Sequence, residues 1–247
     1  MSGRVPDAAT APELAYRRVL LKLSGEALAG GRGLGFDFDT IERFADEIRH
    51  AVDMGAEIGL VIGGGNIVRG HQLSEQGVDR VGADYMGMLG TVINALALQD
   101  VLERRGTDTR VMTAIRMEEL AEPYIRRRAL RHLEKKRTVI FAAGTGNPYF
   151  STDTAAALRA IQMQANVLIK ATSVDGVYSA DPKTDPNATR YEQVSYRDVM
   201  RQELRVMDQT AITLCKENRI PLIVLNIHEP GAVSRAILGE RVGTFVS

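Results

Sequence analysis

Apolar and polar positions along the chain fall into two alternating patterns. Residues 19–24 (VLLKLS) form a short apolar run that predicts a buried strand. Residues 58–62, 110–115, 138–142, 167–170, 222–226 and 244–246 predict further strands of the same kind. Helical patterns lie between them. Ile41, Phe44, Ala45, Ile48 and Val52 recur at helical spacing; Asp39 with Glu42 three residues on predicts a capping box at the start, and Gly55 suits the C-terminal end. The periodicity predicts other helices over residues 83–105, 123–136, 152–165 and 231–238, and a mostly helical stretch over 196–218. Residues 175–190 are a polar stretch with three Asp and two Pro.

Strands separated by helices predict an α/β fold, a three-layer αβα sandwich around a mainly parallel sheet. No fixed-period repeat and no internal linker interrupts it. The expected organisation is a disordered tail over residues 1–16 and a single domain over 17–247.

Composition narrows the function. The chain has 31 Lys+Arg against 31 Asp+Glu, so it has no net field to draw in nucleic acid or an anionic membrane. One cysteine, Cys215, excludes an internal disulfide framework and a cysteine-based zinc cluster, and the four scattered histidines offer no metal-ligand spacing. No protein-held metal site is expected. No run approaches 18 uninterrupted apolar residues, and the first 15 residues lack the apolar centre of a secretory signal. A cytoplasmic protein is expected.

Glycines cluster where predicted strands end: Gly25 to Gly35 after the first, Gly63, Gly64 and Gly65 after the second, Gly144 and Gly146 after the run at 138–142. Glycine lets backbone N–H groups approach a phosphate closely, and three such loops at equivalent strand ends point to a polyanionic ligand. The sequence has no G-x-x-x-x-G-K-[ST] Walker-type phosphate loop, no dinucleotide fingerprint and no nucleophile elbow. Lys22 is a charge inside an otherwise apolar strand, where it should meet an anion at the strand end; an edge-strand lysine is the plainer alternative. Lys170 in VLIKAT presents the same anomaly.

Five stretches carry a family resemblance: KLSGEAL (22–28), GGGNIVRG (63–70), GADYMGMLGTVINALAL (82–98), AGTGNPYFSTD (143–153) and KATSVDGVYSADPKTDP (170–186). They resemble, in order, the bacterial uridylate kinases of the amino-acid kinase family. The resemblance implies an amino-acid kinase-like fold and phosphoryl transfer from ATP, with Mg2+, to UMP in pyrimidine nucleotide biosynthesis. It implies catalytic roles for Lys22, Arg69, Asp153 and Asp208. On ATP it places Lys22, Leu23, Ser24, Gly25, Gly65, Arg69, Thr172, Tyr178 and Asp181. On UMP it places Gly64, Asp84, Thr145, Gly146, Asn147, Pro148, Tyr149, Phe150, Ser151 and Thr152, with Gly63, Gly64 and Gly65 as a nest between the nucleotides. Read alone, Asp84 is a helix cap and Arg69 a solvated loop residue.

The resemblance further implies a homohexamer, a trimer of dimers, activated by GTP and inhibited by UTP. The GTP-contacting stretch would be Gly30, Gly31, Arg32, Gly33, Leu34 and Gly35, with Arg127 and Arg131 as looser candidates. The apolar segment 86–98 is then either a buried core helix or a face that packs on a second subunit. The basic run at 124–137 reads as a solvated helix face, because no aromatic partners accompany it and nucleic acid is not expected.

Overall fold

The computed structural model describes residues 13–182 and 184–247. The first half of the chain runs β1 (Arg18–Leu23), α1 (Gly25–Leu28), α2 (Phe38–Asp53), β2 (Glu57–Ile62), α3 (Gly70–Glu75), α4 (Arg80–Arg104), β3 (Thr109–Thr113), β4 (Glu122–Pro123) and α5 (Arg126–Glu134). The second half runs β5 (Thr138–Ala142), α6 (Thr152–Gln162), β6 (Val167–Thr172), β7 (Val177–Tyr178), β8 (Arg190–Tyr191), β9 (Gln193–Val194), α7 (Tyr196–Arg201), α8 (Gln209–Glu217), β10 (Leu222–Asn226), α9 (Ala232–Ile237) and β11 (Thr244–Val246).

Nine strands form one sheet in the order β4-β3-β5-β2-β1-β6-β10-β11-β9. Only the β10–β11 pairing is antiparallel. Side chains alternate across the sheet, so each strand feeds two cores. Val19, Leu21 and Leu23 join α2, α4 and α9 in one core; Leu20, Val61 and Leu168 join α5, α6, α7 and α8 in the other. This is the expected three-layer αβα sandwich. Because β5, β2, β1 and β6 are adjacent and parallel, their carboxyl ends share one edge, and the glycine loops gather there.

Several expectations need correction. The capping box is not formed: the N-cap of α2 is Asp37, whose carboxylate accepts from the Thr40 hydroxyl, while Glu42 turns to Arg105. The helix expected from residue 123 starts at Arg126, because Glu122–Pro123 pairs with β3 as an edge strand. The mostly helical stretch 196–218 is borne out as two helices, α7 and α8, separated by residues 202–208. The polar stretch at 175–190 carries β7 and reaches β8, and the two form an antiparallel ribbon. Residues 1–12 of the expected tail lie outside the described residues. Leu14 and Tyr16 do not behave as tail: both pack on the core, and the Tyr16 N–H donates to Ile237 O at 3.2 Å.

Helix α4 is long and apolar enough by composition to cross a membrane, a property the count of uninterrupted apolar residues misses. Here it lies against the sheet, burying Val92, Ala95, Leu98, Val101 and Leu102. Its Tyr85, Met86, Leu89 and Ile93 are exposed. Segment 86–98 is therefore not the wholly buried helix that one expectation made it: one face is core, and the other leaves Met86, Leu89 and Ile93 uncovered. Arg126, Arg127, Arg128 and Arg131 on α5 are exposed, as a solvated face requires.

Candidate active site

Lys22 and Lys170 stand opposite each other in the β1–β6 register, on the face covered by α6. Lys22 is only 8% exposed, yet it has a partner. Its Nζ lies 2.8 Å from Asp153 Oδ1, while Lys170 Nζ lies 3.0 Å from Oδ2 of the same carboxylate. The anion that Lys22 meets is thus a side chain from the first turn of α6. Burial works against ionising Asp153, but Lys22 and then Lys170 overcome it and hold the carboxyl below its ordinary range. Burial also lowers the Lys170 ammonium, against the pull of Asp153. Lys170 donates further to Val206 O at 2.5 Å.

Asp208 completes this cluster from the α8 side. Its carboxylate caps α8 through the Ala211 N–H at 3.0 Å. It also accepts from the hydroxyls of Ser151 and Thr154. The N-terminal ends of α6 and α8 are therefore fastened together above the lysines.

The Gly63–Gly65 turn lies beside Gly25. A Cβ on Gly25 would come within 2.5 Å of Gly63 O, and one on Gly64 within 2.5 Å of Gly87 O. Only glycine permits these approaches. The three-glycine nest is narrower than expected: the Gly63 N–H donates to Leu23 O at 3.0 Å, extending the sheet. Among the described residues, the Gly64 and Gly65 N–H groups donate to no protein acceptor. Ser24 caps α1 through the Ala27 N–H at 3.2 Å. Arg69 precedes α3, with its guanidinium 2.8 Å from Glu26 Oε1 and its Nε donating to Gly65 O at 3.3 Å.

A groove of about 520 Å³ opens from this turn, within the usual range for a small-molecule site. Gly64, Gly65, Arg69, Asp84, Thr145, Tyr149, Phe150, Ser151 and Thr152 all line it, joined by Arg80, Met88 and Thr91. Asp84 is not the cap of α4; Asp79 is, accepting from the N–H groups of Val81 and Gly82. Asp84 instead accepts from Arg80 Nε at 2.9 Å and from the Tyr149 N–H at 2.8 Å, closing one end of the groove. Gly146, Asn147 and Pro148 are not in its lining. Asn147 is exposed, and its N–H donates to Thr145 Oγ1 at 3.2 Å.

A second cavity, about 540 Å³, is lined by Tyr178, Asp181 and the 202–205 segment. Tyr178 donates to Asp175 Oδ1 at 2.7 Å. Thr172 ends β6 and is not in this lining. Ser151 and Thr152 line the groove and directly precede Asp153 of the lysine cluster, and Lys170 donates to Val206 O, which follows Arg205 of the second cavity in sequence. Residues 30–35 form a separate exposed loop with Leu34 65% exposed; Arg32 there donates to Phe36 O at 3.3 Å.

Sequence reasoning missed Glu26, Arg80 and the shared role of Lys170. The Arg80–Asp84 spacing of four on a helix was the available signal for one of them.

Fold and site together define the class: an α/β protein with a glycine-rich, lysine-bearing site at the carboxyl edge of a mainly parallel sheet, built without a Walker loop. Residues 17–226 match the model of the amino acid kinase family, and the chain belongs to that family. It is similar to the solved UMP kinase of Bacillus anthracis, with 46% identity, a TM-score of 0.91, and 94% of this chain covering 96% of that one. The UMP kinase of Ureaplasma parvum is 38% identical with a TM-score of 0.88, 94% of this chain covering 98% of that one. The uridylate kinase of Archaeoglobus fulgidus is 30% identical with a TM-score of 0.73, 93% covering 99%.

Proposed function

We propose that the chain is a UMP kinase, transferring the γ-phosphoryl group of ATP to UMP to give UDP and ADP. The observation that carries this reading is the Lys22–Asp153–Lys170 cluster, which continues through Thr152 and Ser151 into the groove at the glycine turn. Similarity to solved UMP kinases along 94% of the chain supports the choice of acceptor.

UMP occupies the groove. Asp84 receives its ribose hydroxyls, and Thr145, Ser151 and Thr152 surround the base and sugar; Arg69, expected on ATP, lines this groove and is reassigned to the UMP phosphate. ATP takes the second cavity, its adenosine near Tyr178 and Asp181. The two phosphate chains then meet over β1. Phosphoryl transfer asks the protein mainly to align the reactants and offset negative charge. Lys22 follows the transferring group, the Gly64 and Gly65 N–H groups cradle it, and Asp153 holds both lysines in place.

Among the described residues, no three His, Cys, Asp or Glu side chains gather as a metal cage. Mg2+ is generally held largely by phosphates and waters. When bound, it would supply charge neutralisation on the phosphates, and Asp153 and Asp208 are the carboxylates we assign to receive its waters.

GTP activation, UTP inhibition, GTP contact at residues 30–35 and a cytoplasmic location belong to the same proposal. So does a homohexamer, supported by the uncovered Tyr85, Met86, Leu89 and Ile93 face of α4. A coupled assay with ATP and each of UMP, CMP, dUMP and AMP, with and without GTP, tests it. UMP-selective ADP release is expected. Turnover of a carboxylate or carbamate instead, or nucleotide binding without turnover, would overturn it.

A further inference from the structure

Two buried asparagines lie behind the phosphate turn. Asn66 and Asn94 are 1% and 0% exposed. Their amides pair reciprocally: Asn94 Nδ2 donates to Asn66 Oδ1 at 2.6 Å, and Asn66 Nδ2 donates to Asn94 Oδ1 at 3.0 Å. Each then reaches a backbone carbonyl. Asn94 Nδ2 donates to Gly63 O at 2.6 Å, and Asn66 Nδ2 donates to Gly35 O at 2.8 Å. The Gly35 N–H returns to Asn66 O at 2.8 Å. With two N–H bonds on each amide, the pair is fully used as donor.

Burying two amides is costly unless they are hydrogen-bonded, and apolar residues would fill the same space with less demand. What the pair adds is direction. Gly63 O and the Gly64 N–H belong to one planar peptide, and the described chain has no cis bonds, so the two point opposite ways. Gripping Gly63 O from behind therefore fixes where the Gly64 N–H aims. Gly64 lines the groove, and its N–H has no acceptor in the described protein.

We infer that Asn94, clasped by Asn66, is a positioning residue for phosphoryl transfer, aiming the Gly64 N–H at the phosphate. The same clasp ties the loop at residues 30–35 to that turn. The inference rests on the groove being the transfer site.

The test uses the full-length chain and two variants. Asn94→Asp keeps the shape and removes the donor. The double variant Asn66→Leu, Asn94→Leu replaces both amides, leaving no orphaned side-chain amide. kcat and both KM values are measured per folded protein, with the folded fraction taken from circular dichroism. The expected result is a kcat at least ~10-fold lower in both variants, because a misaimed donor is lost mainly to the transition state. KM for UMP and for ATP should stay within about threefold. Unchanged kcat, a loss shared equally by KM, or a loss that tracks the unfolded fraction overturns the inference. Failure of the wild-type chain to phosphorylate UMP would instead overturn the reading of the site.

Discussion

Lys22 and Lys170 are direct cross-strand partners whose ammonium groups close on the two oxygens of Asp153, at 2.8 and 3.0 Å. Two buried cations this close repel each other. One carboxylate between them makes the pair tolerable and leaves both facing the region where phosphates would lie. Asp153 is thus the residue that assembles the positive end of the site.

Replacing Asp153 by Asn should leave two buried ammonium groups without their counter-charge. Breaking a buried pair in this way costs about 3–5 kcal/mol, so urea unfolding should show a loss of that order. The pH dependence has a definite sign. The folded Asp153 carboxyl titrates below its ordinary 3.8, so its contribution is complete above that value and disappears as pH falls through the lower folded one. The stability gap between wild type and Asp153→Asn should therefore narrow only in strong acid. A gap unchanged by acid would show that the ion pair is not its source.

Lys22→Ala should separate turnover from binding. A charge meeting the transferring group acts on the transition state more than on bound UMP. Steady-state kinetics should show kcat reduced about 10²–10³-fold. UMP affinity by calorimetry should move by no more than about threefold. Equal, slight changes in both would remove Lys22 from the catalytic role.

The sheet was legible because its strands are buried on both sides and read as continuous apolar runs; 138–142, 222–226 and 244–246 were placed to the residue. The glycine loops were legible because parallel strands put their carboxyl ends at one edge. Element ends were less legible. Asp39 and Glu42 have the spacing of a capping box, but Arg105, distant in sequence, draws Glu42 away. The partners of the site charges were hidden for the same reason. Lys22 was an evident anomaly, yet nothing local says that its counter-charge comes from residue 153. Likewise Asn66 looked like one letter of a glycine motif until Asn94 met it from α4.

Glu26 holds Arg69 at 2.8 Å, but both side chains are well exposed. Such a pair contributes little to stability, at most about 1 kcal/mol. Its effect should fall on binding, because a phosphate must compete with Glu26 for the guanidinium. Glu26→Gln should lower the KM for UMP with the melting temperature unchanged, whereas Arg69→Ala should raise it. Opposite movement in Glu26→Gln would mean that the carboxylate orients Arg69 instead of competing for it.

Cys215 is the sole cysteine, and it is fully buried on the core face of α8. Burial pushes its thiol up to about 12. At pH 8 only roughly one thiol in ten thousand would be ionised on that basis. Native protein should react very slowly with a disulfide reagent and promptly once unfolded in urea. Fast labelling of the native chain would mean that the α7–α8 layer opens without global unfolding.

Gly25 tests whether close backbone approach, rather than flexibility, is what the glycine loops require. An added Cβ would meet Gly63 O at 2.5 Å, Asn66 Oδ1 at 2.6 Å and the Gly65 N at 2.7 Å. All three belong to the Gly63–Gly65 turn or its support, and two are backbone atoms that cannot step aside. Gly25→Ala should cost about 1–3 kcal/mol of stability through overpacking. It should also reduce kcat in the folded fraction, since relief of the clash displaces the turn. Gly106→Ala is the control. Gly106 has φ +83° and open space around its missing Cβ, so that change strains the backbone without touching the turn. It should cost about 1–2 kcal/mol and leave kcat per folded protein intact. Equal kinetic damage from both substitutions would mean that backbone strain alone lowers turnover, and the close packing of Gly25 on the turn would no longer explain why glycine stands there.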